Sequence, residues 1–354
     1  MVVQRRPGEL YLLCHTAGPE GTCWVERIHP ESLATLDRSP DLPGGPVWPG
    51  GIAAHASGDL HVVFGNHAHR LDAACALVAS ATLPRHAPYN SFVVLPDGTL
   101  ATKDFGKDTA SPAELLFLDP ATLDVVERLD LPERSIARLS ADGDDVYVVG
   151  DTSLLRVRGG VVEAVAAYRT LDGQTYGWDA VLDDGAAWLL DDGEGTEAYA
   201  GTFRGRGASP GPLHLVRVDL ATGAVRLAEV CGEPRGLVAN PPVVDPERRL
   251  AVGFDSSNRA LTGFDADTLE VRWRRTQDHA SHMVRYPESG ELVTFDHDPE
   301  RMSEDVVVLD ITSGEELARA ATGSAVQGVL FPAPGFDGDV YAVTFAGVSR
   351  IRPA

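Results

Sequence analysis

The sequence predicts an all-β fold, a β-propeller of four-stranded antiparallel blades, with eight blades favoured and seven as the alternative. Three observations predict it. A hairpin of apolar run, tight polar turn and second apolar run recurs eight times in 354 residues. A second hairpin, turning on Asp-x-x-Thr/Ser-Gly/Leu, follows most copies of the first. The copies recur at about 40 to 60 residues, the period of propeller blades. Stacked repeats share one core, so the chain is read as a single domain, residues 1–354.

The elements follow in order. The first hairpins read MVVQRRPGELYLL, IAAHASGDLHVVF, SFVVLPDGTLATK, IARLSADGDDVYVV, DAVLDDGAAWLL, PPVVDPERRLAVGF, MVRYPESGELVTF and GVLFPAPGFDGDVYAVTF. Their turns begin near Pro7, Ser57, Pro96, Asp142, Asp183, Asp245, Pro287 and Pro334. Pro, Gly, Asp and Ser turn the chain, and the β-branched and aromatic runs beside them favour strands. The second hairpins include LLFLDPATLDVVERLDL, LVRVDLATGAVRLAEV, LTGFDADTLEVRWRR and VVVLDITSGEELARA. There an Asp or Thr side chain bonds its own nearby backbone and sets the turn. The two hairpins together make one blade. The repeats fall near residues 1–46, 47–86, 87–132, 133–173, 174–233, 234–278, 279–323 and 324–354. Closure is open at this stage: Val2–Arg6 is either the first strand of the first repeat or the fourth strand of the last.

The strand–turn–strand repeat resembles the quinoprotein-like and YVTN-like propeller superfamily over nearly the whole chain. Its quinoprotein alcohol dehydrogenases imply pyrroloquinoline quinone. This chain departs from them: it has no vicinal cysteine pair, it is shorter, and it shows no export signal, so that cofactor is not carried over. Streptogramin-linearising lyases and gluconolactonase-type hydrolases look similar in architecture, but no motif ties the chain to either.

Composition narrows the function. The formal charge is −22. That charge repels phosphate backbones, so no nucleic-acid partner is expected. No run approaches the length of a membrane span, and no membrane partner is expected. The N-terminus lacks an apolar signal core, which points to a cytoplasmic location. Arginine outnumbers lysine, whose only copies are Lys103 and Lys107, as in GC-rich, actinobacterial genomes. Cys14, Cys23, Cys75 and Cys231 form no zinc spacing and read as reduced thiols. Nucleophile-elbow, P-loop, dinucleotide and HExxH motifs are lacking, and neither NAD nor flavin is expected.

The site is sought where the hairpins superpose. Polar residues recur just before the first strands: Gly51, Ser91, Ser135, Trp178, Asn240, His282 and Gln327. In a propeller such positions meet at a channel mouth, a concave, preformed place for a small molecule. Tyr89, Asn90, Ser91, Tyr176, Trp178, Asn240 and Gln327 are the substrate-binding candidates. His282 and His279 are the acid–base candidates, because imidazole titrates near neutral pH. Asp179 and Arg134 would orient them, and Lys103 would act as electrophile or proton donor. Each also has a structural reading, as blade packing or as a charge that neutralises nearby acids. A carboxylate column at the ends of the second strands (Asp104, Asp151, Asp191, Asp192, Asp255 and Asp296) suggests Ca²⁺ or Mg²⁺, with Asp255 and Asp296 as ligands. His55, His61, His67, His69 and His86 crowd the second repeat and are expected on an exposed strand. Residues 193–212 form a glycine-rich excursion that suits a lid.

Two functions stay open. One is a non-redox enzyme, a lyase, isomerase, cyclase or hydrolase, acting on a small organic molecule. The other is a non-catalytic scaffold for protein interaction, which would show exposed apolar anchors and little convergence of titratable groups.

Overall fold

The computed structural model describes residues 1–16, 18–47, 50–105, 111–194, 207–325, 328, 333–334, 339–344 and 347–352. Every regular element among them is a strand, and the strands form eight antiparallel sheets in chain order. Sheet one holds β1 (Val2–Arg6), β2 (Glu9–His15), β3 (Glu20–Ile28) and β4 (Thr35–Arg38), with β5 (Leu42–Pro46) on the other half of β3. Sheet two is β6 (Gly51–Ala54), β7 (Leu60–Phe64), β8 (His67–Leu71) and β9 (Leu77–Thr82). Sheet three is β10 (Val93–Val94), β11 (Leu100–Lys103), β12 (Glu114–Leu118) and β13 (Val125–Asp130). Sheet four is β14 (Ser140–Asp142), β15 (Asp145–Val149), β16 (Ser153–Arg158) and β17 (Val161–Ala167).

Sheet five is β18 (Val181–Asp183), β19 (Ala186–Leu190), β20 (Pro212–Asp219) and β21 (Val225–Pro234). Sheet six is β22 (Val243–Asp245), β23 (Leu250–Asp255), β24 (Ala260–Asp265) and β25 (Val271–Thr276). Sheet seven is β26 (Val284–Tyr286), β27 (Glu291–Asp298), β28 (Ser303–Asp310) and β29 (Glu316–Ser324). Sheet eight has three described strands, β30 (Ala333–Pro334), β31 (Val340–Thr344) and β32 (Gly347–Ile351). Val2–Arg6 pairs with β2, Val2 opposite Leu12, so it is the first strand of sheet one. The alternative that gave it to the last repeat is corrected by that pairing.

Two compact units divide the chain, residues 1–148 with 156–163 and residues 149–155 with 164–354. Within the first, apolar faces of consecutive sheets meet. Leu13 and Val25 of sheet one pack with Val62 and Phe64 of sheet two, and Val63 and Ala68 pack with Leu100 and Leu116 of sheet three. Within the second, Trp188 and Leu215 of sheet five meet Ala251 and Phe264 of sheet six, and Phe254 and Leu261 meet Leu292 and Val307 of sheet seven. The second and third strands are buried on both faces, hence their near-continuous apolar sequence. Burying each Leu, Val or Phe contributes about 1.5–3 kcal/mol.

The second-hairpin turn shows why its motif repeats. Asp119 Oδ1 accepts from the Ala121 and Thr122 N–H groups at 2.8 and 2.9 Å, and Asp219, Asp265 and Asp310 do the same two and three residues on. The residue after Thr/Ser then takes a left-handed conformation, φ 65° at Leu123, 71° at Gly223, 62° at Leu269 and 71° at Gly314. Glycine is free there, whereas Leu123 and Leu269 adopt it at a cost and bury their side chains in return.

The four cysteines are free thiols: Cys14 lies opposite Trp24 and Cys23 opposite His15, which puts these two on opposite faces of the hairpin. One sequence expectation changes. The second-sheet histidines are not exposed as a group, since His61 and His69 are wholly buried. Nε2 of His55 and of His61 reaches the Gly98 and Pro120 carbonyls of sheet three at 3.0 and 2.8 Å. His67 Nδ1 and His69 Nε2 reach the Gly44 and Pro43 carbonyls beside sheet one at 2.7 and 2.8 Å. Sheet two is thus stitched to both neighbours by imidazoles.

Candidate functional site

In the first unit the candidate residues gather where sheet three meets the lead-in to sheet four. Lys103, at the end of β11, has no exposed surface. Its Nζ donates to the Asp104 carbonyl at 3.2 Å and the Ser135 carbonyl at 3.0 Å. Asn90 Nδ2 donates to the Ile136 carbonyl at 3.3 Å, and Ser91 Oγ accepts from the Leu139 N–H at 3.3 Å. Three side chains of one sheet therefore hold residues 135–139 of the next. Arg134 lies half-buried at the start of that segment. Two donations of this lysine thus go to backbone carbonyls.

Tyr89 is buried in the apolar cluster of Val63, Leu100 and Leu116. Its hydroxyl donates to Glu114 Oε1 at 2.7 Å. Burial, then the Glu114 carboxylate, push the phenol far above its ordinary range. Glu114 is itself closed to solvent and ion-paired with Arg128 and, at 3.4 Å, with Arg85. This tyrosine packs between sheets and presents no face to a ligand.

The second unit holds a different set. Tyr176 is half-buried, and its ring covers Gly193, where a Cβ would meet ring carbons at 2.7 Å. Trp178 is half-buried against the sheet-five core, while Asp179 and Asn240 are buried. Asn240 Nδ2 donates to the Pro241 carbonyl at 3.1 Å, and no donor reaches its Oδ1. His279 is wholly buried, with Nδ1 on Glu304 Oε1 at 2.5 Å and its ring stacked on Phe295 at 6.0 Å. Burial raises the Glu304 carboxyl, and the His279 charge and hydrogen bond oppose that rise. His282 is half-buried at φ 34°, with Nδ1 3.3 Å from Ser281 Oγ. Gln327 lies outside the described residues, as does most of the 193–212 excursion, of which residues 195–206 are not described.

The carboxylate column keeps its register but serves the backbone. Asp104 Oδ1 accepts from the Glu114 N–H at 2.6 Å, and Asp191 Oδ1 from the His214 N–H at 2.7 Å. Asp255 takes the Leu237 and Asn258 N–H groups at 3.3 and 3.1 Å and the Cys231 thiol at 3.3 Å. Asp296 takes the Asp278 N–H and Arg319, both at 2.8 Å. Calcium or magnesium at Asp255 and Asp296 would have to displace these donors. Among the described residues no three His, Cys, Asp or Glu are arranged to hold a metal ion.

Sequence reasoning missed one constellation. His214 on β20 places Nδ1 2.8 Å from Asp191 Oδ2, and Asp192 lies beside them, all buried. Burial, then the Asp191 charge, raise the Asp192 carboxyl to about 7. Burial pulls the His214 imidazole down, but the Asp191 hydrogen bond and charge outweigh it and leave it raised. Asp192 Oδ1 meanwhile accepts from the Thr175 N–H at 3.1 Å. The signal was a histidine inside the apolar run PLHLVRVD. Paired acid and imidazole of this kind can hold or exchange a proton near neutral pH.

The family model described as outer membrane protein assembly factor BamB matches residues 163–352, more than half of the chain. No curated protein matches the sequence. Among solved structures, BamB from Moraxella catarrhalis aligns with a TM-score of 0.67 at 14% identity, covering 99% of this chain and 92% of its own. The C-terminal WD40 domain of Sif2 aligns with a TM-score of 0.69 at 9% identity, covering 98% and 93%. Quinohemoprotein alcohol dehydrogenase from Comamonas testosteroni gives 0.63 at 11% identity, covering 96% and 70%. At these identities the likeness is one of fold, a β-propeller, here of eight antiparallel sheets.

Proposed function

We propose that this chain, which belongs to the outer membrane protein assembly factor BamB family, works as a protein-binding platform without catalysis of its own. One observation carries the reading. Exposed apolar side chains recur on the fourth strands: Leu36, Val78, Val126, Val161, Val271 and Leu317 stand on β4, β9, β13, β17, β25 and β29. Each of these strands is the edge of its sheet, with backbone groups open to an added strand. Lys103, Tyr89, Asn90 Nδ2 and His279 Nδ1, by contrast, bond to groups inside the fold. Charged neighbours such as Glu127, Arg128 and Glu163 keep these edges from pairing at random. The surplus of acids favours a partner with a basic face. The test is a photo-crosslinking residue at position 126 or 161 in the native host. The platform reading expects a discrete adduct that Val78→Lys or Val271→Lys on a neighbouring edge weakens; its absence at every edge position defeats it.

The small-molecule enzyme is kept as a second proposal on one observation, the buried Asp191–His214–Asp192 group below the half-buried Trp178 and Tyr176 strand lead-in. A carboxyl near 7 beside an imidazole suits acid–base chemistry on a small organic molecule. That reading expects Asp192→Asn to abolish a turnover that the wild type shows in a substrate screen.

A further inference from the structure

Five histidines are buried among the described residues: His61 and His69 in sheet two, and His214, His279 and His297 in the second unit. The two groups differ in what they face. His214 Nδ1 lies 2.8 Å from Asp191, and Nδ1 of His279 and of His297 lies 2.5 and 4.0 Å from Glu304. A proton taken up there meets a carboxylate. The rings of His61 and His69 meet carbonyls instead.

His61 on β7 stands opposite Arg70, and His69 on β8 opposite Val62, so the two rings project from opposite faces of sheet two. Toward sheet three, His61 Nε2 lies 2.8 Å from the Pro120 carbonyl; toward sheet one, His69 Nε2 lies 2.8 Å from the Pro43 carbonyl. A carbonyl only accepts, so each Nε2 carries the hydrogen and each Nδ1 of the neutral ring is bare. His69 Nδ1 faces Ser80 Oγ at 2.9 Å, while no partner reaches His61 Nδ1, which is closed to solvent. A second proton therefore puts an unmet donor into one interface and a desolvated charge into both.

The charged surroundings do little to offset that. His55, Asp59 and Arg70 stand around His61, and Asp119 on the sheet-three turn acts on Arg70. Asp59 favours the proton, but Arg70 already holds that carboxylate at 2.6 Å. Burial lowers the His61 imidazole; the Pro120 bond and Asp59 oppose it, and His55 and Arg70 add to it. His67 is the titratable neighbour of His69, and β5 and β9 beside it carry no charged side chain. Burial lowers His69 to about 4.

We propose that sheet two is an acid-sensitive latch: as its two buried imidazoles take protons, it parts from sheets one and three while the sheets of the second unit stay closed. The sign follows from the folded values lying below the unfolded one. The latch is whole above about pH 6.5 and weakens as pH falls, because the opened state takes the proton first. From pH 7 to 5, His69 alone raises the opening equilibrium about twentyfold. The latch rests on sheet-to-sheet contacts and stands or falls without the platform reading.

The experiment measures amide hydrogen exchange of the full chain at pH 7, 6 and 5, corrected for the intrinsic rate at each pH. Opening of β7 and β8 should rise about twentyfold or more from pH 7 to 5, and that of β19 and β23 by less than about threefold. Glutamine keeps an N–H for the carbonyl and takes no proton, so His61→Gln with His69→Gln should hold the opening of β7 and β8 level across the range. If the double variant does not fold, His61→Gln and His69→Gln alone should each reduce the wild-type rise. An equal rise in all four strands of the wild type, or an undiminished rise in the variants, overturns the latch.

Discussion

Lys103, Tyr89 and His69 show how single side chains are used here. Lys103 places a cation on two backbone carbonyls out of reach of water, so Lys103→Met leaves those carbonyls unmet. The expected loss is about 1–3 kcal/mol in urea unfolding, with the same fold by circular dichroism. Tyr89→Phe removes a hydroxyl that donates to Glu114 and accepts from the Arg85 N–H at 3.4 Å, and should lose about 1 kcal/mol. His69 is held neutral: its Nε2 faces the Pro43 carbonyl, its Nδ1 faces Ser80 Oγ, and the His67 ring is stacked on it at 6.1 Å. Burial lowers its folded pKa to about 4. Its contribution is therefore whole above the unfolded value of about 6.5 and is lost as pH falls toward 4, because only the unfolded state takes the proton. The loss is on the order of 3 kcal/mol. His69→Gln should remove that part of the pH dependence, read as the difference between the two unfolding profiles from pH 7 to 4. Asp192 has the opposite sign. Its raised carboxyl makes the charged form the unfavourable one, so Asp192→Asn should stabilise above pH 7 and lose that advantage progressively as pH falls from about 7 to about 4.

At the scale of elements, Trp273 wedges sheets six and seven. Its indole N–H donates to the Ile311 carbonyl at 2.9 Å, and its ring lies against Gly263, where a Cβ would come within 2.3 Å. Gly263→Ala should therefore displace the ring and destabilise by about 1–3 kcal/mol, measurable by thermal unfolding with Trp fluorescence. The strands and turns were legible because strand and turn chemistry are local. Apolar runs, Asp-x-x-Thr turns and the Gly or Leu after them each declare themselves within a few residues. The candidate site was less legible because its bonds are not local. What the sequence hid were the site residues' partners: Glu114 lies 25 residues beyond Tyr89, and Glu304 lies 25 beyond His279. Without those acids, a buried structural tyrosine and histidine look like groups facing a ligand. The carboxylate column misled for the same reason, since the N–H donors that fill Asp255 and Asp296 belong to neighbouring segments.

For the whole molecule, eight similar sheets give many equivalent edges, and the surface carries a charge of −22. Such a charge opposes self-association, and the proposed platform role assigns the strand edges to a partner of opposite charge. Under the proposed platform role, the polar residues hold the fold and the apolar edge residues meet the partner. One measurement tests that division: the affinity of the partner caught by crosslinking for two variants of the chain. Val78→Lys with Val126→Lys and Val161→Lys changes three edges without touching a core. His282→Asn changes the leading acid–base candidate for a residue that tolerates its left-handed backbone. The account predicts at least a tenfold loss of affinity for the edge variant, with an unchanged melting temperature, and wild-type affinity for His282→Asn. Wild-type affinity in the edge variant and a loss on His282→Asn would contradict it.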